Sequence, residues 1–367
     1  MARSAKLRRP ATLASLAAEL GVSRTTVSNA YNRPDQLSPE LRQRVLETAR
    51  QLGYPGPDPV ARSLRTRQAG AVGLLFTEAL SYAFRDPAAV GFLEGLALGC
   101  EEAGQGLLMV PASPEADHAH TAAAVHRAAV DGFVVYSVPD DDPHFAAVQQ
   151  RPLPLVVCDQ PILEGVDHVG IDDRGAMAGL GGHLIELGHR RVGVICMRLG
   201  RDRNDGLVEV ARQHAAHFHV QRARLAGLQD AFGPEEWSAV RVVERFDHTV
   251  ESGASAAAQL LDHDPGLSAL AATSDILALG ALEELRRRGL RVPEDVTVTG
   301  FDGIPEAERI GLTTVRQPVR EKGRAASRLL LERAEGRCRS ISLPTELMIG
   351  QTSGPAKVAD APWFSGL

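Results

Sequence analysis

From Ala71 onward the chain repeats one pattern, in which a short apolar, often β-branched run is followed by a stretch with helical spacing and then by another run. The runs are AVGLLF (71–76), GLLMVP (106–111), GFVVYSV (132–138), LPLVVCD (153–159), HVGID (168–172), RVGVICM (191–197), VRVVERF (240–246), ALAATS (269–274), VTVTGF (296–301) and LTTVRQ (312–317). Apolar runs of this length are covered on both faces, and strands that alternate with helices pair in parallel. Ten runs over about 280 residues suit two sheets better than one, so the body is predicted to be α/β with two parallel-sheet lobes.

In open parallel sheets, ligands sit beyond the carboxyl ends of the strands. The side chains that close the runs are therefore candidates for a small-molecule site: Phe76, Thr77, Asp159, Ser274 and Asp302. The two carboxylates can accept hydrogen bonds from hydroxyls or amines. His248, in FDHTVESGASAA, is a further candidate. Only 16 of the 367 residues are aromatic, so stacking platforms are expected to be scarce.

The head of the chain is different. Net charge is −6 overall, but residues 1–67 hold twelve Lys/Arg against five acids, leaving the other 300 positions at −13. A basic head on an acidic body points to a polyanion held by the head alone. Three short helices are legible there. Thr12 caps the first, whose Leu13, Leu16, Ala17 and Leu20 share a face, and Gly21 stops it. Ser23 caps the second after a turn of about three residues, with Val27, Ala30 and Tyr31 as its buried face. Ser38-Pro39 opens the third, which runs through Leu41, Val45, Ala49 and Leu52 to Gly53.

Three helices with a tight first turn make a helix-turn-helix domain, in which the second helix enters the major groove. Arg24, Thr25 and Asn29 are then the candidate base readers, since Arg pairs with guanine, Asn with adenine, and a Thr methyl touches thymine. Thr12, Ser23, Thr26, Ser28, Asn32 and Arg33 are candidates for positioning contacts, mostly to phosphates. Beyond Gly53 the segment GYPGPDPVARSLRTRQAG reads as a linker holding a helix of about seven residues from Asp58 to Arg65. So short a helix is marginal alone. Two copies packed on DNA would hold it, with Leu64 wedged into the minor groove and Arg62 near phosphates.

The motifs TLASLAAELGVSRTTVSNAYN, ARQLGY, PVARSLR and LALGALEELRRRGLRVPEDVTVTGFDGIPEAERIGLTTVRQPVREKGRAA, in this order, resemble the lac repressor and galactose repressor family of bacterial transcription regulators, from about Ala11 to Gly350. Two positions depart from the family pattern: Asn29 stands where Arg is usual, and Ser274-Asp275 replaces an Asn-Asp pair. The resemblance implies a periplasmic-binding-protein fold whose two lobes close on an effector. It places a helix-turn-helix domain at 11–56, a hinge at 57–68 and an effector domain at 69–352. The N-lobe is expected over 69–168 and 318–340, the C-lobe over 169–317 and 341–352. It also makes Arg224, opening RLAGLQDAF, an effector donor.

The resemblance and the charge pattern together imply a homodimeric, cytoplasmic regulator of near-palindromic double-stranded operator DNA. It is most readily a repressor that answers to a sugar or sugar derivative, with a nucleobase or nucleoside as the alternative effector. No cofactor and no metal are expected. The four cysteines lie far apart, with no C-x-x-C pair, and no Walker loop, G-x-G-x-x-G or G-x-S-x-G elbow supports an enzyme. His214, His217 and His219 in HAAHFH are read as polar surface. No apolar stretch is long enough for a membrane span or a secretory signal.

Overall fold

The computed structural model describes residues 11–57, 63, 66–76, 84–111, 118–332 and 338–357. The expected hinge helix, with Arg62 and Leu64, and the site candidate Thr77 lie outside them. The chain divides into two compact units, residues 1–69 and 70–367.

The first unit holds α1 (Leu13–Leu20), α2 (Arg24–Asn32), a 3-10 turn (Pro34–Gln36) and α3 (Pro39–Leu52). Thr12 caps α1 in a capping box with Ser15, and Gly21 ends it at φ 65°. Ser23 and Ser38 cap the next two helices, and Gly53 closes α3 at φ 67°. Leu16, Ala17, Val27, Ala30, Val45 and Ala49 form the core, with Tyr31 against its edge. Tyr31 also meets Tyr54 edge-on at 6.0 Å. Leu52, expected on the buried face, is 40% exposed because Gly53 turns the chain away just after it.

The second unit opens with β1 (Ala71–Phe76), α4 (Pro87–Glu102), β2 (Gly106–Pro111), α5 (His118–Arg127), β3 (Gly132–Tyr136), α6 (Pro143–Gln149), β4 (Leu155–Cys158) and β5 (Asp167–Ile171). Next come α7 (Asp173–Glu186), β6 (Val192–Met197), β7 (Gly206–Leu207), α8 (Val210–His214), α9 (His219–Ala239), β8 (Arg241–Arg245), α10 (Val250–His263) and β9 (Ala269–Ala272). The chain closes with α11 (Asp275–Arg287), β10 (Thr297–Asp302), α12 (Pro305–Ile310), β11 (Thr313–Arg316), α13 (Val319–Leu331), β12 (Ser340–Leu343) and β13 (Glu346–Met348).

Two sheets result. The first, ordered β12-β5-β4-β3-β1-β2, is parallel throughout. The second, β13-β11-β10-β9-β6-β8-β7, is parallel apart from its two short edge strands. Apolar clusters fill both faces of each sheet, as the unbroken apolar strands require. The chain passes between lobes three times, after β5, after β11 and after β12.

The expected lobe boundaries need correction. Asp167–Ile171 pairs with β4 and β12 and so belongs wholly to the first lobe, which runs past residue 168. Ser340–Leu343 also joins that sheet, so the second lobe regains the chain only near Glu346 rather than at 341. Packing continues beyond 352 as well, because the Ala356 amide donates to Leu187 and the Gly354 carbonyl meets His189.

Candidate functional site

On the first unit, α2 buries Val27 and Ala30 and turns its other side outward. Arg24, Thr25 and Arg33 are exposed and make no side-chain hydrogen bond among the described residues. The other candidates are partly occupied. Thr12 and Ser23 act as helix caps, Ser23 also pairs with Thr26 at 2.8 Å, and Asn32 donates to Ser28. Asn29 donates through Nδ2 to Gln36 at 3.1 Å.

In the second unit, the carboxyl ends of both sheets face a cleft between the lobes. Phe76, Asp159, Arg224, His248 and Asp302 all line it. Ser274 does not. It caps α11, and its hydroxyl sits 2.7 Å from His248 Nε2, so it acts on the cleft through that ring. Burial pushes His248 down to about 4, so the imidazole is neutral at pH 7.

Three strand ends carry non-glycine residues at positive φ, Ser137 (52°), Asp159 (67°) and Asp302 (118°), all lining the cleft. Such backbone is costly and clusters where a side chain must be aimed. Asp159 faces Lys322 of α13 at 2.6 Å, and Lys322 also donates to Gln317 Oε1 at 2.5 Å. Gln317, on the crossover after β11, passes the contact on by donating to Asp302 Oδ1 at 2.6 Å.

Asp302 in turn lies 3.5 Å from Arg224, which donates to Asp173 at 2.8 Å and to the Thr273 carbonyl at 2.6 Å. The Arg224 guanidinium lies over Phe301, 3.6 Å from its ring centre. One polar chain therefore runs from Asp159 in the first lobe to Asp173 beneath the second, with its cations and carboxylates alternating. Lys322 is held above the usual lysine value, because burial, which lowers it, is outweighed by Asp159 and its neighbours. Burial also pushes up Asp302, to about 6, against the pull of Arg224. Asp275, buried beside it, rises further through burial and the Asp302 charge.

Three aromatic residues, Phe76, Tyr136 and Phe218, line this cleft. Tyr136 stacks on Phe92 at 4.0 Å and on Phe76 at 5.8 Å, while Phe218 enters from the other lobe. Phe218 carries the Arg198 guanidinium 5.0 Å over its ring. The expectation of few platforms counted residues without knowing where they converge.

Gln317, Lys322, Tyr136 and Arg198 were absent from the expected set. Gln317 closes an apolar run and satisfies the strand-end rule. Lys322 betrays itself by interrupting the apolar stripe of Val319, Ala326 and Leu329. Of the histidines in HAAHFH, His217 is 2.9 Å from Asp141 across the lobes, beside an Arg222–Asp140 pair at 3.1 Å. No grouping able to hold a metal occurs among the described residues.

The sequence matches two family models: "Bacterial regulatory proteins, lacI family" over residues 12–56, and a periplasmic binding protein-like domain over residues 182–353. An HTH-type transcriptional regulator of Mycolicibacterium smegmatis is 54% identical over 364 residues, spanning 97% of this chain and 100% of that protein. A solved LacI-family regulator from Corynebacterium glutamicum is similar with a TM-score of 0.71 and 41% identity, covering 94% of this chain and 99% of its own. A CelR–cellobiose complex gives 0.66 and 29%, covering 93% and 99%.

Proposed function

This chain belongs to the lacI family of bacterial regulatory proteins and is a transcriptional regulator with an effector-binding domain rather than an enzyme; on that premise we propose that it is a repressor whose grip on operator DNA is set by a sugar or sugar derivative held between the lobes. Two copies bind the halves of a near-palindromic operator, each laying α2 in the major groove. The basic head and the exposed polar face of α2 support the DNA reading.

The observation that carries the effector reading is the compensated charge chain beside the aromatic stack. Asp159 and Arg224 already have partners of opposite charge, so the cleft favours a neutral guest. Asp159 Oδ2 and Asp302 Oδ2 make no hydrogen bond among the described residues and are available to accept from ligand hydroxyls. The apolar lining that Phe76 and Tyr136 give the cleft suits the C–H side of a sugar, and the cellobiose bound by CelR is an instance in a relative.

Effector binding changes the angle between lobes, and the segment around Leu64 transmits that change to the DNA. Such linkage is typically worth about 1–3 kcal/mol, or about 5- to 150-fold in operator affinity. The test pairs genomic DNA selection by purified protein with thermal-shift screening of sugars and nucleosides. A selected palindrome whose binding responds to a sugar supports the proposal, whereas a response to nucleosides alone replaces the effector class. If about 6–8 phosphates are contacted, log affinity should fall against log salt with a slope of about −5 to −7. A slope near zero refutes the DNA role.

A further inference from the structure

We infer that Gln36 orients the side-chain amide of Asn29 so that α2 reads adenine, an inference that rests on α2 being the DNA-reading helix. Arg24 and Thr25 make no side-chain hydrogen bond among the described residues, whereas the Nδ2 of Asn29 donates to Gln36 Oε1 at 3.1 Å. Gln36 ends the Pro34–Gln36 turn, and the backbone fixes its place. The Gln36 amide donates to the Arg33 carbonyl at 3.0 Å, the Leu37 amide to that of Pro34 at 3.3 Å, and the Pro34 ring limits the first torsion. The partner of Asn29 is therefore set by the main chain, seven residues on.

A primary amide offers one oxygen acceptor and two N–H donors. On this inference Gln36 takes the N–H trans to Oδ1, so that Asn29 presents Oδ1 and the cis N–H side by side. Adenine shows N6–H and N7 in the major groove, which match that pair. Guanine shows two acceptors, so its O6 would face Oδ1. Without Gln36, rotation about the broad χ2 torsion lets the amide offer either edge, and discrimination between the purines is lost. An arginine at this position would choose guanine, so the departure at Asn29 and the Gln36 contact together change the preferred base. Gln36 is a positioning residue here, and its own Nε2 stays available as a donor toward a phosphate.

The test uses the full chain. Its operator is selected from random double-stranded DNA, and binding is then measured with each base at every half-site position, at one salt concentration. Wild type, Asn29→Ala, Gln36→Ala and Gln36→Glu are compared. Wild type should favour adenine over guanine by about 5- to 100-fold at one position per half-site, and Asn29→Ala should abolish that preference. Gln36→Ala should reduce it to about 3-fold or less while leaving the other positions unchanged.

Gln36→Glu keeps an Oε acceptor and should retain the adenine preference, although its added charge weakens binding to every sequence. A merely structural role for Gln36 would not be rescued in this way. The inference is overturned if Gln36→Ala keeps the wild-type ratio, if Gln36→Glu loses it, or if no position that depends on Asn29 favours adenine. In those cases operator binding itself still stands. Failure to select any sequence removes the DNA-reading premise as well.

Discussion

Replacing Lys322 with Met tests whether the polar chain across the cleft is held together by its buried ion pair. Lys322 is 1% exposed and Asp159 9%, so the substitution leaves a carboxylate in a nearly water-free site with its 2.6 Å partner gone. Breaking a buried pair from one side costs about 3–5 kcal/mol, much of it the desolvation of the charge left behind. For a unit of about 300 residues that corresponds to a drop of about 5–8 °C in the unfolding midpoint. Replacing both partners should cost far less, because no buried charge then remains. Asn is the right companion, since it tolerates the positive φ of 67° at position 159. Thermal and urea unfolding of wild type, Lys322→Met, Asp159→Asn and the double variant form a cycle with an expected coupling of about 2 kcal/mol or more. A loss of less than about 1 kcal/mol for Lys322→Met, or a double variant as unstable as the two losses summed, would refute the reasoning.

On the proposed reading, in which ionised Asp302 accepts ligand hydroxyls, the burial that pushes its carboxyl up to about 6 means effector affinity should rise between pH 5 and pH 7. Calorimetric titration checks this, and Asp302→Asn should flatten the profile. The raised folded value, set against about 3.9 when unfolded, makes the same group lower stability as pH rises from about 4 to about 6. His248, depressed to about 4 by burial, works in the opposite sense and adds stability as pH rises toward about 6.5. Arg224→Lys should weaken effector binding about tenfold or more, since one ammonium cannot span Asp173, the Thr273 carbonyl and Asp302 while covering Phe301; unchanged affinity in the same titration contradicts this. Gly95→Ala would put a Cβ 1.9 Å from the Arg320 carbonyl oxygen, two residues before Lys322. A loss of about 1–3 kcal/mol by urea unfolding, accompanied by weaker effector binding, is expected, and an unchanged midpoint argues against tight α4–α13 packing.

Local pattern carried the architecture far. Each of the ten apolar runs coincides with a strand to within a residue or two at its ends, because a strand covered on both faces needs an unbroken apolar stretch that no loop supplies. The short edge strands β7, β12 and β13 were not legible, having two to four residues each and a sequence that alternates or is polar. The lobe boundary failed for a related reason. Membership of β5 is decided by hydrogen bonds to Ser340–Leu343, which no local window contains. At the cleft, the strand-end rule pointed to Phe76, Asp159 and Asp302, and all three line it. Ser274, which the same rule pointed to, does not line the cleft but caps a helix and meets His248, and the rule could not see Lys322, which pairs with Asp159 from a helix far along the chain.

The three crossings between lobes also bear on how the chain can be made. The first sheet needs β12, and α13 packs along α4, yet the whole of residues 174–316 is synthesised in between. On the ribosome the first lobe therefore waits with the edge of β5 unpaired and one face of α4 uncovered. The second lobe's parallel core, β6 through β11, can meanwhile form from contiguous chain. Such long-range closure is slow and exposes strand edges. Truncations that end between β11 and β12 should therefore damage the lobe that was begun first more than the lobe just completed.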